Sequence, residues 1–130
     1  MDGMEYRYFT VAEARELLPQ VRRHMNRIQA AKEAILKVSP EQWPALEKAM
    51  GNGGAAAVTQ ALQHTQVLER AVRSILKLGV QIKDLDKGLL DFPSLREGRE
   101  VSLCWMHGED DIRWWHETDA GFAGRQPLDE

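Results

Sequence analysis

The sequence predicts an α+β domain: a long antiparallel helical hairpin with a short intervening helix, packed against a small antiparallel β-meander. Three observations carry this expectation. Apolar residues recur at three- and four-residue steps from Val11 to Ile35 and again from Val58 to Leu76, the period of one helical face. After Gly79 the period falls to two, as in half-buried strands. The stretch from Glu100 to Leu128 then reads as a β-hairpin with a glycine-punctuated tail, and it holds the only cysteine and three of the 4 tryptophans.

At 130 residues and 43% hydrophobic, the chain is expected to form one domain over 1–130, helical over about 10–78, with strands and tail over about 80–128. The net charge of −3 is too small to imply a polyanionic partner. The charge is unevenly spread. There are 11 basic and 8 acidic residues through Ile82, but 6 basic and 12 acidic from Lys83 onward. An acidic second half argues against nucleic acid as a partner. One cysteine excludes an internal disulfide and fits a reducing compartment. The start, Met1 to Arg7, has no apolar signal region, and no run approaches a membrane span, so a soluble cytoplasmic protein is expected.

Tyr6 to Thr10 reads as a lead-in or edge strand. Thr10-Val11-Ala12-Glu13 has the spacing of a capping box, which opens the first helix. Its stripe is Val11, Ala14, Leu18, Val21, Met25, Ile28 and Ile35. The far face carries Arg15, Arg22, Arg23, Arg27 and Lys37, expected to be solvated and paired with glutamates. Pro19 removes a hydrogen bond and predicts a kink, since the stripe continues in phase beyond it. Ser39, Pro40 and Gln42 predict a capped short helix to about Met50. Gly51-Asn52-Gly53-Gly54 separates it from a second long helix, Ala55 to Leu78, closed by Gly79. Val80 to Ile82 and Leu89 to Phe92 read as short strands around a turn at Asp84 to Gly88, the second stopped by Pro93. Arg96 to Arg99 turns the chain into the main hairpin.

With a turn centred on Gly108 and Glu109, Trp105 would pair with Ile112, Leu103 with Trp114 and Val101 with His116. That places Val101, Leu103, Trp105, Ile112, Trp114 and His116 on the core face. Ser102, Cys104, Met106, Arg113 and Trp115 fall on a mixed second face. A slip of one residue would exchange every partner.

Several runs carry a family resemblance: Tyr8-Phe9-Thr10 with Glu13-Ala14, Leu18-Pro19, Gly88 to Pro93, Leu103-Cys104-Trp105, Trp115-His116-Glu117 and Gly121 to Pro127. With these the chain resembles an uncharacterised prokaryotic family, domain of unknown function 2203, over nearly its whole length. The resemblance implies a small stand-alone cytoplasmic protein and brings no activity with it.

Candidate chemistry is sparse. Cys104, His107 and His116 suggest zinc, but the register puts the two histidines roughly 20 Å apart at about 3.3 Å per residue, and no CxxC or HExxH spacing occurs. No metal and no cofactor are therefore expected. Cys104 would face Arg113, which could lower a thiol pKa, yet a lone strand cysteine is usually a small hydrophobe. The Gly51–Gly54 run lacks the Lys-Ser/Thr of a phosphate-binding loop. The remaining cluster is Trp115, His116, Glu117, Asp119 and Arg125, where imidazole, carboxylate, indole and guanidinium converge beside Gly121 and Gly124. Phe122 would anchor this loop in the core, and Arg125 would reach Glu100, Glu117 or Asp119. Two classes follow: a non-catalytic homodimeric interaction protein, or a small anionic-ligand binder or enzyme using those five residues.

Overall fold

A computed structural model describes residues 6–51 and 62–129. The fold is α+β, as expected: long helices lie on one side of a five-stranded antiparallel sheet whose strands follow one another in chain order. The Gly51–Gly54 run past Gly51, and the expected helix start at Ala55, lie outside the described residues.

Helix α1 spans Val11–Val38. Thr10 and Glu13 form the full capping box at its start: the Thr10 hydroxyl accepts from the Glu13 amide, and the Glu13 carboxylate accepts from the Thr10 amide. The helix is not split at Pro19, and its buried stripe runs from Ala14 to Ile35 in phase across it. A single 3₁₀ turn, Pro40–Gln42, leads into α2, Trp43–Gly51. Here the expectation for Ser39 fails. Its side chain makes no cap bond and is buried instead, because the preceding helix already ends on the Ser39 amide bonded to Ile35. Helix α3, Leu62–Lys77, runs back beside α1 and buries Leu68, Ala71, Val72 and Ile75. Gly79 follows with φ of +91°, the left-handed conformation that glycine supplies after a helix.

The strands are β1 (Gln81–Asp84), β2 (Leu89–Arg96), β3 (Arg99–Met106), β4 (Trp114–Glu117) and β5 (Gln126–Pro127). Pro93 does not stop β2, contrary to expectation. It pairs opposite Ser102 on β3, while its carbonyl points the other way and accepts from the Phe9 amide at 2.7 Å. Its missing N–H therefore lies on the side away from β3, which β1 does not reach, since its first residue, Gln81, lies opposite Asp91. No ladder bond is lost. The lead-in segment takes the place alongside β2 that an edge strand would occupy. Glu97 and Gly98 join β2 to β3, with φ of +54° and +81°, the pattern of a type I′ hairpin turn.

The hairpin register differs by one residue from the sequence expectation. Leu103 pairs with Trp115, Ser102 with His116 and Cys104 with Trp114. The connection is longer than a tight turn: residues 107–113 form a loop, and β4 begins only at Trp114. Arg15 and Arg22 of α1 hold this loop through the carbonyls of Ile112 and Asp110, which also corrects the reading of that helix face as glutamate-paired. The slip exchanges the faces of β4 alone: Val101, Leu103, Trp105 and Ile112 are in the core as expected, and Trp115 joins them, with Leu90 and Phe92, in place of Trp114 and His116. Asp91, Ser102, Cys104, Trp114 and His116 share the opposite, outer face.

Candidate metal centre

Three adjacent strands each place one potential ligand on the outer face: Asp91 from β2, Cys104 from β3 and His116 from β4. Asp91 and Cys104 are direct cross-strand partners, and His116 pairs with Ser102, one pleat along the same face. All three are at most 2% exposed. One ligand atom from each lies within 4.8 Å of the other two.

The hydrogen bonds of His116 define its donor set. Nδ1 lies 2.6 Å from the Glu117 carbonyl oxygen, which can only accept, so Nδ1 carries a proton. Nε2 lies 3.1 Å from Asp91 Oδ1. A carboxylate and an imidazole lone pair repel at that distance unless a positive centre stands between them. A shared proton meets that need, and a metal ion can replace it.

Arg125 closes the cluster from the tail. Its Nε donates to Cys104 Sγ at 3.3 Å, and two of its nitrogens fork onto the Glu109 carboxylate at 2.7 and 2.8 Å. The guanidinium lies over the rings of Phe122 and Trp114. Glu109 also accepts the Met106 amide. Gly121 makes the tail's sharp entry possible, at φ of +66° and ψ of −167°, a region closed to other residues. Gly124 is required for a different reason: a Cβ there would stand 2.5 Å from that of Ala120.

Burial pushes the Cys104 thiol up to about 11, against the pull of the Arg125 hydrogen bond and charge and with a further push from Asp91 and Glu109. As a free thiol it is a poor nucleophile at neutral pH. Burial also works against the Glu109 carboxylate, but the Arg125 and Met106 hydrogen bonds outweigh it and hold Glu109 below the usual range.

The residues that make this site fall in four of the runs that resemble a known family: Asp91, Cys104, His116 and Arg125, one in each. The model of an uncharacterized conserved protein family, DUF2203, matches residues 7–128. The chain belongs to DUF2203. No curated protein and no solved structure matches it. No described helix of this DUF2203 protein is long and apolar enough to cross a membrane.

Of the five residues singled out in the sequence, the structure brings two together, His116 and Arg125, through Cys104. Trp115 lies on the core face at 7% exposure, because of the register slip. Glu117 is held at the end of that face by Arg99. Asp119 is exposed and has no partner among the described residues. Arg125 does pair with a carboxylate, but with Glu109 rather than Glu100, Glu117 or Asp119. Glu100 is taken by the hydroxyls of Tyr6 and Tyr8. Phe122 is not a core anchor; it is 44% exposed and supports the guanidinium. Arg113 does not face Cys104 but forks onto Asp110. His107, the other histidine weighed for zinc, is bonded to Asn26.

Sequence reasoning missed Asp91 and Glu109. Asp91 lies between two core residues, Leu90 and Phe92, so period-two alternation assigns it an outward position and says nothing of its burial. The signal that could have found it is cross-strand: in the true register it faces the only cysteine.

Proposed function

We propose that this protein binds a divalent transition metal ion of the zinc type, with Asp91, Cys104 and His116 as ligands. The observation that carries this reading is the facing of His116 Nε2 and Asp91 Oδ1 beside a buried thiol, with His116 Nδ1 tied to a backbone carbonyl. That tie is the outer-shell arrangement that fixes an imidazole for ligation through its other nitrogen. Tetrahedral zinc with bonds of about 2.0 Å to nitrogen or oxygen and about 2.3 Å to sulfur needs ligand separations of about 3.3–3.5 Å. The imidazole–carboxylate pair is already near this, and the thiol, within 4.8 Å of both, needs to close by no more than roughly 1.3 Å. Charge also balances: a dication is neutralised by one thiolate and one carboxylate, and Arg125 is neutralised by Glu109. The Arg125 N–H then donates to a metal-bound thiolate, and the fourth position is left to water or a small ligand.

Titration of tag-free, metal-stripped protein with Co(II) tests this. Expected are one cobalt per chain, a near-ultraviolet thiolate-to-metal band, displacement by zinc, and loss of the band in Cys104→Ser and His116→Ala. No saturable binding, or binding indifferent to both substitutions, would overturn the proposal.

A second reading is favoured by a different observation. Tyr6, Tyr8, Leu95 and Phe122, between 42% and 55% exposed, border the outer face, and apolar surface of this kind often marks self-association. A homodimer through that face predicts twice the chain mass in sedimentation at tens of micromolar and a monomer for Leu95→Glu.

A further inference from the structure

We propose that the groove between α1 and α3 binds a phosphate-type oxyanion, with Arg27, Arg70 and His24 as its donors. This site is separate from the outer face and does not depend on the metal reading. The groove is lined by His24 and Arg27 from α1 and by Val67, Arg70, Ala71 and Ser74 from α3, and encloses about 390 Å³.

Its charge is what singles it out. Across the described residues most arginines have found an acceptor. Arg15 and Arg22 bond loop carbonyls, and Arg73, Arg99, Arg113 and Arg125 bond carboxylates. Arg27 and Arg70 have no carboxylate partner among the described residues, and neither does Arg23 one position before His24. No acidic side chain lines the groove. In a chain with more acids than bases, this is a local surplus of positive charge gathered at one concavity.

His24 completes the donor set. Arg27 Nη1 lies 3.4 Å from His24 Nδ1. A guanidinium can only donate, so Nδ1 accepts and the ring proton sits on Nε2. The neutral ring also follows from its surroundings: partial burial first, then the charges of Arg27 and Arg23, hold its pKa below the usual histidine value. Ser74 gives its proton to the Arg70 carbonyl, so it shapes the groove without adding a donor. Two forked guanidiniums and one imidazole N–H suit the tetrahedral oxygens of phosphate. The Val67 and Ala71 floor suits an apolar group attached to it. The ligand class is therefore phosphate, free or as a monoester.

The test uses the whole protein at low ionic strength, with inorganic phosphate and phenyl phosphate as probes and sodium chloride at matched ionic strength as comparator. The readout is the His24 ring signal by NMR. Both phosphates are expected to shift it saturably and raise its pKa. Tighter binding of phenyl phosphate would identify an ester as the ligand, and equal binding would identify free phosphate; both uphold the site. Arg27→Gln with Arg70→Gln should weaken binding at least tenfold, while Arg99→Gln, outside the groove, leaves it unchanged. These side chains are exposed, so the double variant keeps its fold, checked by its melting temperature. An equal shift from sodium chloride, or equal affinity in the double variant, would overturn the proposal.

Discussion

The two faces of the sheet are built from alternate residues of the same strands, and they are held by different forces. Toward the helices, Leu90, Phe92, Leu103 and Trp105 are at most 2% exposed and belong to the apolar core, with only the Trp105 indole N–H reaching out to a loop carbonyl, that of Glu109. Toward the outside, Asp91, Cys104 and His116 are equally buried, but beneath a tail and a loop rather than a helical layer. The first face is stabilised by removal of apolar area from water, a non-directional force that tolerates small errors of position. The second depends on each polar atom meeting a partner, and a single missing partner leaves a desolvated group. Equal burial on the two faces therefore signifies unequal tolerance.

Adjacent residues on β2 give the sharpest contrast. Phe92→Ala should cost about 3–5 kcal/mol through the cavity it leaves. Asp91→Ala should cost a similar amount, about 3–5 kcal/mol, because it strands His116. Urea unfolding measures both. The two then part company: saturating zinc should raise the melting temperature of Phe92→Ala as it does that of the wild type, and should leave Asp91→Ala unmoved.

Removing both members of the polar pair sharpens the point. Asp91→Leu combined with His116→Phe should recover most of the stability lost by Asp91→Ala, since no buried polar group is left unpaired. The Co(II) band should stay absent. A double variant as unstable as the single one would mean that the outer face is held by shape rather than by pairing.

A smaller effect is expected at the rim of the cluster. Arg125→Ala should cost about 1.5–3 kcal/mol, the range for hydrogen bonds to charged groups. Glu109 has a folded-state pKa below its ordinary value, so its contribution is present above that ordinary value and is lost as pH falls through the depressed one. Stability measured across the acid range should show this limb in the wild type and lose it in Arg125→Ala. At the far end of the scale, Arg99→Ala breaks an exposed pair with Glu117 and should leave the melting temperature unchanged within error.

Cys104 offers a kinetic check on the same contrast. With its pKa pushed up to about 11, iodoacetamide at pH 8 should modify it no faster than the protein opens. Cobalt or zinc should slow the reaction further. Rapid stoichiometric alkylation of the native protein would show that the outer face is open.

The sequence foretold the helical face better than the outer one for a physical reason. A stripe such as Ala14, Leu18, Val21, Met25 and Ile28 repeats a local period, so it can be read from neighbours three and four residues away. The Thr10–Glu13 box is equally local, and it formed. The outer site joins Asp91, Cys104, His116 and Arg125 across three strands and a tail, and its assembly depends on one register. Nothing local sets that register. It is fixed by the length of the 107–113 loop, which Arg15 and Arg22 secure from a distant helix. A count assuming a tight turn at Gly108 and Glu109 moved His116 and Trp115 to the wrong faces together. Pro93 misled for a related reason, since its effect depends on which neighbour stands beside β2 at that point.

Pro93 also bears on how such molecules meet one another. The sheet ends in two short margins, the four residues of β1 and the two of β5, and β5 itself includes Pro127. Where β2 extends past β1, the lead-in segment already takes up the Pro93 carbonyl, and the proline has no amide hydrogen to offer. An incoming strand would find no long row of free donors and acceptors to copy. Growth of the sheet from chain to chain is thereby discouraged at both sides, and crowding should lead to bounded complexes that meet broadside rather than to fibres.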